Sequence, residues 1–478
     1  MYYRLSYRYL LRGWKKLPYA VVDRATGDAT FLSAEEMSIL KLCDGRMDFD
    51  YPICNDKTRD ILREYCKMGV VVECREKEEL LALQKYKLYP SRYIKSAHWS
   101  VTGKCNFRCK HCYMSAPDAK PGEISHEEAM SIVDQLAECG VMTVSLTGGE
   151  CLVRSDFMDI VDRLLEHGII ITTIYTNGAL VNETLLKKLD TRDIHPEFNM
   201  SFDGVDGQHD WLRGIEGASQ MVDKAFRLCK DMGFPTGAEM CVHGHNKHTL
   251  RDSVNYLSSV GCTSLKVVPI SDVGEWAKNG YGTTLSMDEL YELYLDYIPK
   301  YYEDGMPVSI MLGGFFSAES YDRNSYDIPS YHYPKDPSRC VVCQHARLVM
   351  YISPEGRVLP CMSLSASDIQ NNFPSILEKG LTSCLDDSYY MDFINTRASK
   401  VFEHNSECTD CEYKLYCQGG CRAGGLELSD NRDLMHRDES SCKLFKDGYA
   451  SKLINLMHDK YPDIKARLED DEGFMALM

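Results

Sequence analysis

Three cysteines, Cys105-x3-Cys109-x2-Cys112, follow directly on the apolar segment Trp99–Thr102 and restrict this chain more than any other feature. Three thiolates converging from one loop suit iron, because soft sulfur ligands select iron–sulfur clusters and must surround them. Three ligands are one short of a filled [4Fe-4S] site, so one iron would stay open to another ligand, as chemistry at that iron requires. The competing readings are a zinc site completed by His111 and a coincidence of buried core thiols. A disulfide framework is not expected, although the chain holds 21 cysteines. Arg and Lys interrupt the apolar residues of Met1–Ala20, which is unlike a secretory signal. No apolar run approaches the ~20 residues of a membrane span. The chain reads as cytoplasmic, where thiols stay reduced.

The 478 residues are organised in five stretches. In 1–90, Tyr19–Asp23 and Ala29–Leu32 flank a turn and read as a hairpin. Ser33 and Glu36 make a capping box for a helix Ala34–Cys43. A second helix Asp56–Met68, a strand Val70–Glu73 and a connecting helix Arg75–Lys87 follow, giving a winged-helix-like unit. From 96 to 313 apolar strands alternate with amphipathic helices, the pattern of parallel strands joined by right-handed crossovers. Six such units predict an α/β fold, a partial (β/α)6 TIM-like barrel with its chemistry at the C-terminal strand ends. Residues 314–338 read as a linker whose four tyrosines pack on the surface or roof the site. Residues 339–450 are cysteine-dense, and 451–478 read as a terminal helix with an acidic end. The net charge of −17 disfavours nucleic acid as a partner.

The spacing Cys105-x3-Cys109-x2-Cys112 resembles the signature of radical S-adenosylmethionine enzymes, and the family's further marks follow in order. Thr147-Gly148-Gly149-Glu150 ends the second strand, where the resemblance implies that the motif holds the methionyl ammonium. Glycines admit close backbone approach and a carboxylate can pair with an ammonium. The same resemblance implies cofactor contacts at Asn177, Ser201, Asp203 and Arg213; capping and turn formation are the plainer alternative. The later cysteines Cys340, Cys343, Cys361, Cys408, Cys411, Cys417, Cys421 and Cys442 are similar to the SPASM extension, with Cys343 as an added eighth. Eight thiolates suffice for two further [4Fe-4S] clusters. The family's interleaving implies Cys340, Cys343, Cys361 and Cys421 at an inner cluster, and Cys408, Cys411, Cys417 and Cys442 at an outer one. If Cys343 is not a ligand, the inner cluster keeps an open iron where a substrate thiolate could bind. That makes three clusters plus S-adenosylmethionine, fed by an external one-electron reductant.

Ten cysteines remain, and most read as small buried apolar residues; Cys151, beside Glu150, is the one singled out as a candidate thiol. The N-terminal unit resembles a RiPP recognition element, which implies that it binds the leader of a precursor peptide by strand addition. A DNA-binding winged helix is its structural competitor. Anaerobic sulfatase maturases are disfavoured: a long segment precedes Cys105, and Met362 follows Cys361 where that branch has an aspartate. The resemblance therefore implies a peptide maturase installing an oxidative cross-link, a thioether above all. Carbon–carbon or carbon–oxygen links and epimerisation stay open. From another class, a non-catalytic iron–sulfur carrier or leader-binding scaffold is opposed by the three-cysteine motif, since a carrier needs no open iron.

Overall fold

The computed structural model describes residues 2–49, 55–116, 122–279, 281–331, 336–429 and 431–467. Cys54, Tyr333 and the acidic end at 468–478 lie outside them. The centre is a ten-stranded sheet arranged as an open row. Six parallel strands come from the predicted units: Ser96–Ser100, Thr143–Thr147, Ile170–Thr176, Glu197–Ser201, Thr236–Val242 and Ser264–Pro269. Two further parallel strands extend the row. Ser309–Leu312 pairs with Ser264–Pro269, and Val349–Ile352, from the cysteine-dense stretch, pairs with Ser96–Ser100. Short antiparallel strands, Phe316–Ala318 and Val358–Leu359, close the two edges.

Helices wrap one face for reasons visible locally. Ser125 and Glu128 cap His126–Glu138 reciprocally, and the helix buries Ala129, Ile132, Val133 and Leu136, one stripe at helical spacing. Ser286 and Glu289 do the same for Met287–Glu303. Among the described residues no helix is long and apolar enough to cross a membrane.

The N-terminal unit holds more strand than its sequence suggests. Leu17–Asp23 and Ala29–Phe31 form the hairpin, which Tyr9–Trp14 and Lys87–Leu88 widen to four strands. Tyr2–Leu5 lies between Asp44–Asp48 and Val71–Cys74 in a second sheet, with helices Ala34–Leu42 and Asp56–Lys67 beside it. The connecting helix over Arg75–Lys87 does not form, apart from a single 3-10 turn at Ala82–Gln84. That stretch is instead pinned by tertiary contacts: Glu78 pairs with Arg4, and its backbone N–H donates to the Gly45 carbonyl. Trp14 anchors the unit on the barrel, donating from Nε1 to the Cys139 carbonyl at 3.2 Å.

The linker differs too. Tyr326 and Tyr331 are core residues, Tyr326 stacked on Phe316 and Tyr331 tilted against Tyr416, and neither lines the cavity described below. The terminal helix spans Tyr449–Lys460 only; Pro462 stops it, and Lys465–Ala466 pairs with Ser325–Tyr326.

Candidate functional site

Along the parallel strands, alternate residues point inward, and there they are polar where doubly buried strands are usually apolar. His98, Ser145, Tyr175, Asn199, Ser201, Glu239 and Lys266 line one cavity of about 600 Å³. An irregularity between Ile171 and Thr173 turns both Thr172 and Thr173 into it. Its wall includes Cys105, Cys109, Gly148, Gly149, Asn177 and Arg213, and also His345, Tyr351, Cys361 and Met362.

The cysteine loop and the glycine motif are built as one piece. Gly149 N–H donates to the Thr102 carbonyl and Glu150 N–H to the Lys104 carbonyl, both at 2.9 Å. A Cβ on Gly148 would lie 2.6 Å from the Thr102 oxygen, and one on Gly149 2.4 Å from the Lys104 oxygen. The glycines are needed for this contact between backbones, before any ligand is considered. Gly149→Ala is therefore expected to push the cysteine loop outward at a cost of about 1–3 kcal/mol. A melting curve and the iron content of the anaerobically reconstituted protein check it; parent-like values for both would refute the packing argument.

Of the expected cofactor contacts, Thr147, Gly148, Gly149, Asn177, Ser201 and Arg213 line the cavity. Glu150 and Asp203 lie behind its wall. The Glu150 carboxylate is 1% exposed and accepts from Thr176 Oγ1 at 2.9 Å, Asn177 N–H at 2.7 Å and Leu152 N–H at 3.0 Å. Burial raises its pKa against those hydrogen bonds. Asp203 accepts from Arg213 Nε at 2.6 Å and Cys241 N–H at 3.1 Å. Burial alone would favour its neutral form, yet the Arg213 guanidinium and His209 hold it well below the usual carboxylate range. Arg213 Nη1 in turn reaches Cys109 Sγ at 3.8 Å. Asn177 also ties the third strand to the loop, donating from Nδ2 to Asn106 Oδ1 at 2.8 Å.

The thiols of Cys105, Cys109 and Cys112 are mutual electrostatic neighbours. Burial pushes the Cys105 thiol up to about 12, so a metal must displace its proton. His111, the candidate fourth zinc ligand, is held neutral by burial at about 3, with Nδ1 unpartnered beside Asp203 and Cys241. The thiols of Cys408, Cys411, Cys417 and Cys442 surround a second small cavity. Cys343, Cys361 and Cys421 are electrostatic neighbours of one another, and Cys361 reaches the wall of the large cavity. Cys340 precedes them, its carbonyl accepting from Ala398 N–H at 3.0 Å. Soft thiols gathered this way, in place of mixed nitrogen and oxygen donors, fit iron–sulfur clusters. Cys151 is fully buried, its thiol directed at the Tyr175 carbonyl at 3.3 Å.

Sequence reasoning missed several residues of the cavity. Lys266 Nζ donates to Glu239 Oε1 at 3.0 Å from directly paired positions on adjacent strands. Glu239 is the one carboxylate lining the cavity among the described residues. His98 accepts or donates at Nδ1 with Ser145 Oγ at 2.8 Å and stacks on Tyr351. Burial, then the charge of Lys266, lowers it to about 4, so it is neutral at pH 7. The signal was available: a charged residue in the middle of an apolar parallel strand needs a polar lumen.

Residues 99–257 match the sequence profile of the Radical SAM superfamily. The chain is 26% identical over 337 residues to a PqqA peptide cyclase of Granulibacter bethesdensis, covering 70% of this chain and 84% of that one. It is 24% identical over 370 residues to the antilisterial bacteriocin subtilosin biosynthesis protein AlbA of Bacillus subtilis, covering 76% and 73%. Its fold is similar to that of Streptococcus suis SuiB bound to precursor peptide SuiA, with a TM-score of 0.64 at 16% identity over 92% of this chain and all of that one.

Proposed function

We propose that this chain, a radical SAM enzyme holding a [4Fe-4S] cluster and S-adenosylmethionine, matures a ribosomally made precursor peptide by installing an oxidative cross-link. The bond proposed is a thioether, from a peptide cysteine to a carbon. The observation that supports the reading is that one cavity is lined both by Cys105 and Cys109 and by Cys361 of the inner cysteine set. An oxidation needs both cysteine sets, one to take a hydrogen atom and one to take an electron. With the cluster and cofactor in place, reductive cleavage of the sulfonium supplies the carbon radical that takes the hydrogen.

The chain's own groups do the rest. Cys105, Cys109 and Cys112 hold the open-iron cluster, while Gly148, Gly149, Asn177, Ser201 and Arg213 frame the cofactor beside it. Arg213, a cation facing the cavity, suits the methionyl carboxylate. Glu239 is placed to take the proton that leaves when the peptide is oxidised, with Lys266 holding it in position. Cys340, Cys343, Cys361 and Cys421 form the inner auxiliary site, and Cys408, Cys411, Cys417 and Cys442 the outer, for three clusters in all. Residues 1–90 bind the leader. The names of the relatives, a peptide cyclase and a bacteriocin biosynthesis protein, support a peptide as substrate.

Anaerobic reconstitution tests this. On reduction the protein is expected to convert S-adenosylmethionine to methionine and 5′-deoxyadenosine. A cognate precursor peptide, sought among short candidate peptides, is expected to lose two hydrogens by mass spectrometry. Cofactor cleavage without any change in peptide mass, across candidate peptides, would argue against the maturase.

A further inference from the structure

Within the cysteine-dense stretch one buried cation makes no direct ion pair among the described residues. Arg422 follows Cys421 directly and is 4% exposed. Its Nη1 donates to the carbonyls of Leu434 and His436, each at 2.9 Å, and its Nη2 to the carbonyl of Gly419. All of these acceptors are neutral. Its Nε–H is buried with no acceptor. Arg437, close by, pairs with Glu407 and Glu439, whereas Arg422 forms no ion pair among the described residues. The Asp438 carboxylate acts on it through space without bonding it directly, and spends its hydrogen bonds on Cys421 N–H at 2.9 Å and Ser441 Oγ at 2.8 Å. Burying a charge without a direct partner is costly, so further negative charge close by would be favourable.

The thiols around Arg422 come from both sets. Cys343 and Cys421 belong to the inner set, and Cys408 and Cys417 to the outer. A [4Fe-4S] core of charge 2+ on four thiolates carries a net charge of −2, and an added electron makes it −3. A fixed cation beside two such groups, with one N–H unpaired, would neutralise part of that charge in a low dielectric.

We infer that Arg422 is a potential-setting residue shared by the two auxiliary clusters, its charge raising the reduction potential of both so that each accepts an electron from the oxidised peptide more readily. This rests on the assignment of those eight cysteines to two clusters. In the step, one electron enters a cluster, its core goes from 2+ to 1+, and Arg422 neither gains nor loses a proton.

The experiment uses the full chain carrying Cys105→Ala, Cys109→Ala and Cys112→Ala, so that only the C-terminal clusters load. It is reconstituted without air, its iron and sulfide are counted, and its clusters are titrated by EPR-monitored reduction. Arg422→Gln is expected to keep the iron while both midpoint potentials move negative; Arg422→Lys, which keeps the charge, is expected to stay near the parent. Unmoved potentials in a fully loaded Gln variant would overturn the inference. If the Gln variant loads no iron, the Lys variant decides: parent-like potentials support the inference, and lowered potentials overturn it. Loss of iron from both variants would make Arg422 a backbone staple and overturn it as well. A parent without C-terminal iron would instead remove the cluster assignment beneath it.

Discussion

A Cys109→Ala protein is expected to cleave no S-adenosylmethionine above background, while retaining roughly eight iron atoms after anaerobic reconstitution. The loss should be total because the variant would leave two thiols for a cluster proposed to take only three from the chain. Cys109 is also the thiol on the cavity wall nearest a fixed cation, with Arg213 Nη1 at 3.8 Å. Burial raises its pKa and that guanidinium opposes the rise, which favours the thiolate a metal needs. Removing it takes away the ligand and leaves the guanidinium facing an empty corner. The eight retained irons follow from separate ligands: Cys408, Cys411, Cys417 and Cys442 surround a cavity of their own, and Cys343, Cys361 and Cys421 neighbour one another without Cys109. Chromatography of 5′-deoxyadenosine and an iron assay read the two quantities separately. Residual cleavage would exclude Cys109 as a ligand, and loss of all iron would mean that the cysteine sets are not independent.

The sequence was most readable where chemistry fixes spacing. Cysteine intervals and the Thr147–Glu150 motif need few residues and little context, because ligand geometry tolerates no drift. The six barrel strands were readable within about three residues, the first, expected at Trp99–Thr102, lying at Ser96–Ser100. Less readable were features decided by distant partners. Tyr9–Trp14 contains Arg12, which breaks the apolar pattern, yet Arg12 is buried because the carbonyls of Leu11, Leu83 and Lys85 receive its guanidinium. Val349–Ile352 joins the barrel sheet through pairing with Ser96–Ser100, and Tyr351 donates to Ser100 Oγ across 251 positions. No local pattern announces such a contact. The charges of Arg75–Lys87 suggested a helix, but Glu78 and Glu79 are drawn to Arg4 and Arg46. Glu239 and Lys266 were visible as residues and unreadable as a pair, because only the register of two strands brings them opposite one another.

Asp203→Asn is expected to cost about 3–5 kcal/mol at pH 7, as breaking a buried ion pair usually does. Asp203 is fully buried and Arg213 nearly so, and the carboxylate meets two donors, Arg213 Nε and Cys241 N–H. An amide of the same shape must turn its own NH2 toward one of them, donor against donor, and it leaves the guanidinium uncompensated. For a unit of this size the melting temperature should fall by roughly 10 °C. The pH dependence separates charge from shape. The folded carboxyl titrates well below its unfolded value of about 3.9, so its contribution is complete above that pH and is lost as the pH falls through the folded pKa. The difference between parent and variant should therefore be constant from pH 8 to pH 5 and shrink below about pH 4. Because Asp203 holds the cation assigned to the methionyl carboxylate, the dissociation constant for S-adenosylmethionine should rise at least about tenfold, equivalent to about 1.4 kcal/mol of lost binding. Equilibrium binding to the cluster-loaded protein measures it. A variant that melts with the parent at pH 7 would mean that the Asp203–Arg213 pair contributes nothing to the fold, and unchanged cofactor affinity would free Arg213 from the role given to it here.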